Sequence, residues 1–395
     1  MSLQRNLLLL AVAAMTVAMV GLLHNRITLH SQRQGVDSDM YLHVFPAPGL
    51  YQARPPPGDT IVTSQQAVNG DSVVNSQQAA SARRKKIVYS CAKYGCGGWA
   101  DRQKGLVSAY ILASMLDRDF GVHIPLPCDL SNFMSTRNLD WRVTASELKG
   151  GGVQTLQKLD NAAVVFAKKL VSSPDIEREL PSDVTVLTWN MEVVKYLRQH
   201  SLASRLDWMT GKTVPEIYRE ALNDLFRLNP ELEDQLNTFK KLVPEGRKLV
   251  CAQVRMGRYP GFPDVGSWLA FEDFPVLANF LTKYNDSLHY RVLVTSDSAK
   301  IVQMATQKFP DVSISIPGPI THIDKSRGTD ICDGFKKTIL DEYALSTCDV
   351  LVISESGIGK VASFLRGRDD ELYLFRHLKV EPFKREGIFP NKEGW

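Results

Sequence analysis

Four short stretches carry residue types suited to holding an anionic ligand. Arg255 ends an apolar run over 248–255, two residues after Gln253, so a strand of period two sets both side chains on one face. A guanidinium there forks onto a phosphate, or sits in a surface ion pair. A second apolar run ends in Thr295-Ser296-Asp297-Ser298. Asp297, with Ser298 beside it, can accept from a nucleotide base or ribose, or cap the following helix. A third run ends in Ser354-Glu355-Ser356-Gly357-Ile358-Gly359. Small residues and free amides opening a helix make an anion site, or a simple capped turn. The fourth stretch is the glycine-rich turn from Gly95 through Gly97, Gly98 and Asp101 to Arg102, whose backbone can approach a ligand closely, or which is a tight structural turn.

Metal chemistry is not expected. Asp117-Arg118-Asp119 has an acid-x-acid spacing but ends an amphipathic pattern, where it reads as a solvated turn. No HxxxH or CxxC pair exists to hold zinc, and the glycine turn lacks the Walker spacing of kinases and sulfotransferases. No cofactor is called for.

The elements that must position these residues come from periodicity. In the second half, strands are expected over 248–255, 290–295, 312–316, 349–354 and 372–375. Helices alternate with them over 274–284, 298–309, 335–346 and 357–366. Near-continuous apolar strands alternating with helices predict a doubly wound parallel sheet, whose ligands sit at the carboxyl ends of strands. The first half offers strands over 87–89, 122–125 and 184–189. A helix with Leu106, Tyr110, Ala113 and Leu116 on one face follows the glycine turn, and others begin at Glu192, Val214 and Pro230. Pro244-Glu245-Gly246 reads as a hinge. The fold class expected is α/β, two Rossmann-like domains facing a cleft, over 87–245 and 246–376, with a tail over 377–395.

Residues 7–23 form an apolar run that as a helix spans about 26 Å, enough for a membrane anchor. A cleaved signal peptide is the rival reading, and Arg5 against Arg26 and Arg33 leaves orientation open. Residues 24–86, with Pro55-Pro56-Pro57 and a Gln/Ser-rich tract, read as a stem. Six cysteines and the acceptor tripeptide at Asn285 suit an oxidising, glycosylating lumen, though the cysteines read equally as buried thiols. Six cysteines allow fifteen pairings. A net charge of +4 favours a small anionic ligand and does not suit nucleic acid.

Taken in order, Gly97-Gly98-Trp99-Ala100-Asp101-Arg102, Gln253-Val254-Arg255-Met256-Gly257, Val294-Thr295-Ser296-Asp297 and Ser354-Glu355-Ser356-Gly357-Ile358-Gly359 resemble the α1,2-, α1,6- and protein O-fucosyltransferases and the bacterial nodulation enzyme. The resemblance implies a B-type glycosyltransferase fold, GDP-fucose as donor, no metal, inversion at the sugar carbon, and a glycan or glycoprotein acceptor. A membrane-anchored Golgi enzyme with its catalytic domain in the lumen fits it. It assigns Arg255 to the donor β-phosphate, Asp297 to guanine, and Ser354, Ser356 and Gly357 to the pyrophosphate. Two departures stand out: Gln253 replaces the family's usual His, and Trp99-Ala100 alters the glycine spacing. An inverting transfer needs a base. Asp264, after Pro260-Gly261-Phe262-Pro263, is preferred over Glu272 and Asp273, which open a helix, or is simply a turn-forming residue. His322 is a further candidate lining the nucleotide site, or a structural histidine. Other readings are a transferase for another nucleotide sugar, or a luminal carbohydrate-binding protein that keeps the fold without turnover.

Overall fold

The computed structural model describes residues 84–257, 269–326, 328–376 and 378–388. The expected anchor and Asp264 lie outside them, as does the expected stem up to residue 83. At its end the stem gives way earlier than expected, since Lys86 already belongs to the first strand. Among the described residues no helix is long and apolar enough to cross a membrane.

Among the described residues twelve strands and ten α-helices follow in chain order. The first part runs β1 Lys86–Ser90, α1 Trp99–Met115, β2 Asp119–His123, β3 Met134–Thr136, β4 Val153–Gln157, α2 Asn161–Ser172, α3 Ile176–Glu179 and β5 Val184–Thr188. Then come α4 Val194–Leu197, α5 Val214–Leu225, β6 Phe226–Leu228 and α6 Pro230–Lys240. The second part runs β7 Lys248–Val254, α7 Phe274–Leu281, β8 Tyr290–Ser296, α8 Ala299–Lys308 and β9 Ser313–Ile314. It ends with α9 Ile331–Leu345, β10 Val350–Ile353, α10 Gly357–Arg366, β11 Leu372–Arg376 and β12 Lys379–Pro382.

Two larger sheets result, of four strands ordered β2-β1-β5-β4 and six ordered β12-β11-β10-β7-β8-β9. Every pairing in them is parallel except β11 with β12. The fold is therefore mixed α/β built on parallel sheets. β12 lies in the segment expected as a tail, and β4 in a stretch for which no element was expected. β3 and β6 pair separately as an antiparallel ribbon.

The larger sheet is buried on both faces, which is why its strands read as unbroken apolar runs. Val250, Ala252, Val292, Val294 and Val352 pack under α7 and α8. Leu249, Cys251, Leu293, Leu351 and Ile353 face the opposite way, into a cluster that continues through α9 and α10 to β1 and α1. One apolar core thus runs through both parts of the chain, and Trp99 and Phe133 each meet Phe335 edge-on, at 5.4 and 5.2 Å between ring centres.

α1 departs from the expected amphipathic helix. Arg102, Gln103, Lys104 and Ser108 on its other side are buried as well, because the helix is covered by β1, β2, α4, α5 and α10. Three disulfides, Cys91–Cys96, Cys128–Cys332 and Cys251–Cys348, use all the cysteines. The second joins the first part of the chain to the start of α9.

Candidate functional site

The carboxyl ends of β7, β8 and β10 meet at one cavity of about 480 Å³, closed on its far side by the glycine turn, the start of α1, residues 319–325 and α9. Parallel pairing brings the tips together: Gln253 lies opposite Thr295, and Val254 opposite Ser296. Side chains then stitch them. The Ser354 hydroxyl accepts the Arg255 amide at 2.9 Å and donates to Gln253 Oε1 at 3.1 Å. Asp297 accepts the amides of Met256 at 2.7 Å and Gly257 at 2.9 Å, and its Oδ2 lies 3.2 Å from Arg255 Nη1. Both carboxylate oxygens are therefore engaged, fixing the turn after β7 and aiming the guanidinium at the cavity.

Beside Arg255, α10 begins at Gly357. Its N-cap Ser356 makes no side-chain cap, leaving first-turn amides at the cavity edge. Two lysines add charge. Lys360, one turn into α10, pairs with Glu355 at 3.0 Å, and Lys104 of α1 pairs with Asp101 at 2.7 Å. Both ammonium side chains are almost wholly buried while their acid partners are about half exposed. Burial pulls the Lys360 pKa down, opposed by Glu355 and reinforced by Lys104, so the two ammonium groups sense each other.

The glycine turn is held from behind. Cys91–Cys96 closes it, and the buried Arg102 donates to Gly97 O at 3.2 Å and to Leu126 O. Asp324 accepts the Gly95 amide at 2.9 Å and lies 3.8 Å from Arg102 Nη2. Asp101 caps α1 by accepting the Gly98 amide at 2.9 Å. Gly97 has φ +84°, and a Cβ there would stand 2.5 Å from Asp101 Oδ2, so only glycine fits.

Of the residues expected at a ligand site, Gly97, Gly98, Asp101, Gln253, Arg255, Asp297, His322, Ser356 and Gly357 line the cavity. Three do not. Arg102 and Ser354 are buried behind the wall and position it, because backbone carbonyls and neighbouring strand tips take up their polar atoms. Ser298 sits at the start of α8, its amide donating to Ser296 Oγ at 3.1 Å. Asp264 is outside the described residues. Asn285 is exposed in the turn after α7. Asp117 and Asp119 lie where α1 ends and β2 begins, at the amino end of the sheet, and Asp117 pairs with Arg84.

The sequence reading missed Lys104, Lys360, and a group on α9. Lys337 Nζ and Asp341 Oδ2 are 2.6 Å apart and line the cavity with Thr338. Burial raises the Asp341 pKa, opposed by Lys337. An i,i+4 Lys–Asp pair normally marks a solvated helix face, and only packing reveals it as a cavity wall.

No family model matches the chain, and no curated protein does. Among solved structures, a FUT1 variant from Arabidopsis thaliana in complex with GDP superposes with a TM-score of 0.54 at 13% identity, covering 78% of this chain and 73% of that one. The fucosyltransferase NodZ from Bradyrhizobium is more distant, with a TM-score of 0.48 at 12% identity over 74% of this chain and 96% of its own. The chain shares the fold of Arabidopsis FUT1.

Proposed function

We propose that the chain is a metal-independent, inverting glycosyltransferase that binds GDP-fucose in this cavity and transfers fucose to a glycan or glycoprotein. One observation carries the reading. Arg255, Lys360, Lys104 and the open start of α10 converge on one spot at the carboxyl ends of a parallel sheet. That set suits a diphosphate, whose charge grows as the sugar departs and is met there by fixed cations. Guanine presents two N–H donors on one edge. Asp297, whose oxygens already take two amides, and Asp341 of the α9 wall, whose Oδ2 takes Lys337, are the two acids proposed to receive them. Gln253 keeps a positioning role through Ser354, which a non-titrating amide performs as well as an imidazole would. Asp264 stays the proposed general base, and a Golgi-lumen enzyme held by residues 7–23 stays the proposed setting.

The test is a donor panel with the full-length protein, following nucleotide release from GDP-fucose, GDP-mannose and UDP-sugars over a glycan array. GDP-fucose should be consumed, with a fucosylated product and at least a hundredfold loss in Arg255→Ala, about 2.7 kcal/mol or more of lost transition-state stabilisation. Consumption of a UDP-sugar, or unchanged turnover in the variant, would sink the reading.

A further inference from the structure

Glu342 lies in the last turn of α9, fully buried, with its side chain against the start of α1. Its Oε1 accepts from Gln103 Nε2 at 2.7 Å and from Trp99 Nε1 at 3.2 Å. No cation is among the groups acting on it, and burial pushes its pKa up to about 8 despite those two donors. A helix end, where carbonyls gather, disfavours an anion further. The charged and titratable neighbours do not change this. Asp341 faces the cavity and pairs with Lys337. Tyr343 is held neutral by burial, with Arg137 acting on it rather than on Glu342. From α1 come only an indole and an amide.

Two atoms of this cluster, Glu342 Oε2 and Gln103 Oε1, are buried without a hydrogen-bond partner. If Glu342 were a carboxylate, both would be stranded acceptors on the same pair of side chains, an arrangement buried polar groups avoid. One proton resolves both. A hydroxyl on Oε2 donates to Gln103 Oε1 while Gln103 Nε2 donates to Glu342 Oε1, closing an acid–amide ring.

We infer that Glu342 is a positioning residue kept as a neutral carboxylic acid, its proton shared with Gln103, and that this pair together with Trp99 clamps the cavity wall to α9. The ring joins the helix that starts at the glycine turn to the helix that carries Lys337, Thr338 and Asp341. Trp99 itself lines the cavity and packs edge-on against Phe335. Deprotonation sets a carboxylate oxygen against the Gln103 carbonyl oxygen and opens the clamp. The effect on nucleotide binding rests on the function proposed above; the clamp itself does not.

The folded acid holds its proton up to about pH 8, whereas the unfolded chain releases it near 4.5. Its stabilising contribution is therefore full at acid pH, declines as pH rises between these values, and is gone above about 8.

The test compares full-length wild type with Glu342→Gln, whose amide reproduces the ring without a proton. Infrared difference spectra near neutral pH should show a protonated carboxyl stretch in wild type that the variant lacks. Between about pH 6 and about pH 9 the wild-type melting temperature should fall while the variant stays level, apart from slopes they share. Over the same range the wild-type Kd for GDP should rise about tenfold and that of the variant stay constant. Absence of the carboxyl band, parallel pH slopes, or a variant that does not fold would overturn the inference. Failure of both proteins to bind GDP at any pH would count against the nucleotide reading, while the infrared and melting results still decide the clamp.

Discussion

Asp297 shows how much one carboxylate at a strand tip organises. It terminates β8, accepts two amides from the turn after β7 and faces Arg255, so its loss should act on the ligand through the guanidinium. Asp297→Asn keeps the shape but removes the charge and leaves an N–H₂ group pointing at a backbone amide. We expect GDP affinity to fall by about ten- to a hundredfold, with about 1–3 kcal/mol of stability lost, measured by calorimetric titration and urea unfolding. An unchanged Kd would mean that Arg255 is aimed by something else. At this scale the sequence disclosed residue types better than roles. Asp297, Arg255 and Ser356 were legible because strand ends are. That Asp297 serves backbone amides and Ser354 a glutamine depends on the register of three strands distant in sequence. Lys104, Lys360 and Asp341 carried no local signal, since nothing local says which helix face another helix will cover.

Elements set the shape of the cavity through close packing. α9 passes so near residues 319–325 that a Cβ on Gly334 would lie 1.8 Å from Thr321 Oγ1. Thr321 and His322 line the cavity, so displacing their segment alters the site. Gly334→Ala should cost about 1–3 kcal/mol by overpacking, despite the better helix propensity of alanine, and should weaken GDP binding. Denaturant midpoints and titration check it, and a stabilised variant would show that the segment yields freely. The second sheet was largely legible element by element, because strands buried on both faces announce themselves as apolar runs between helix signals. The first was less so. β4 carries polar Gln154, Thr155 and Gln157 on both of its faces, at a sheet edge after three glycines, a pattern without a buried period. β12 is a short edge strand, exposed to half-exposed, that only its partner β11 defines.

At the scale of the whole molecule the two parts of the chain share one apolar core and one covalent bridge. Cys128–Cys332 closes a loop of 204 residues, worth roughly 5 kcal/mol of unfolded-state entropy on the chain-entropy account. The double substitution Cys128→Ser and Cys332→Ser should lower the melting temperature by several degrees under non-reducing conditions. It should also remove most of the further drop that wild type shows on reduction; equal melting of the two proteins without reductant would mean the bridge adds nothing. The bridge also constrains how the protein is made. Cys91–Cys96 spans five positions and can close as soon as its turn emerges during synthesis. Cys128 must wait for most of the remaining chain, and Cys251 is translated long before its own partner. For that interval the nascent chain carries two thiols whose partners have yet to be made. Any premature pairing among them must be reshuffled before the late cysteines can close their bridges, so under oxidising conditions yield should follow the supply of disulfide isomerase more closely than that of general chaperones.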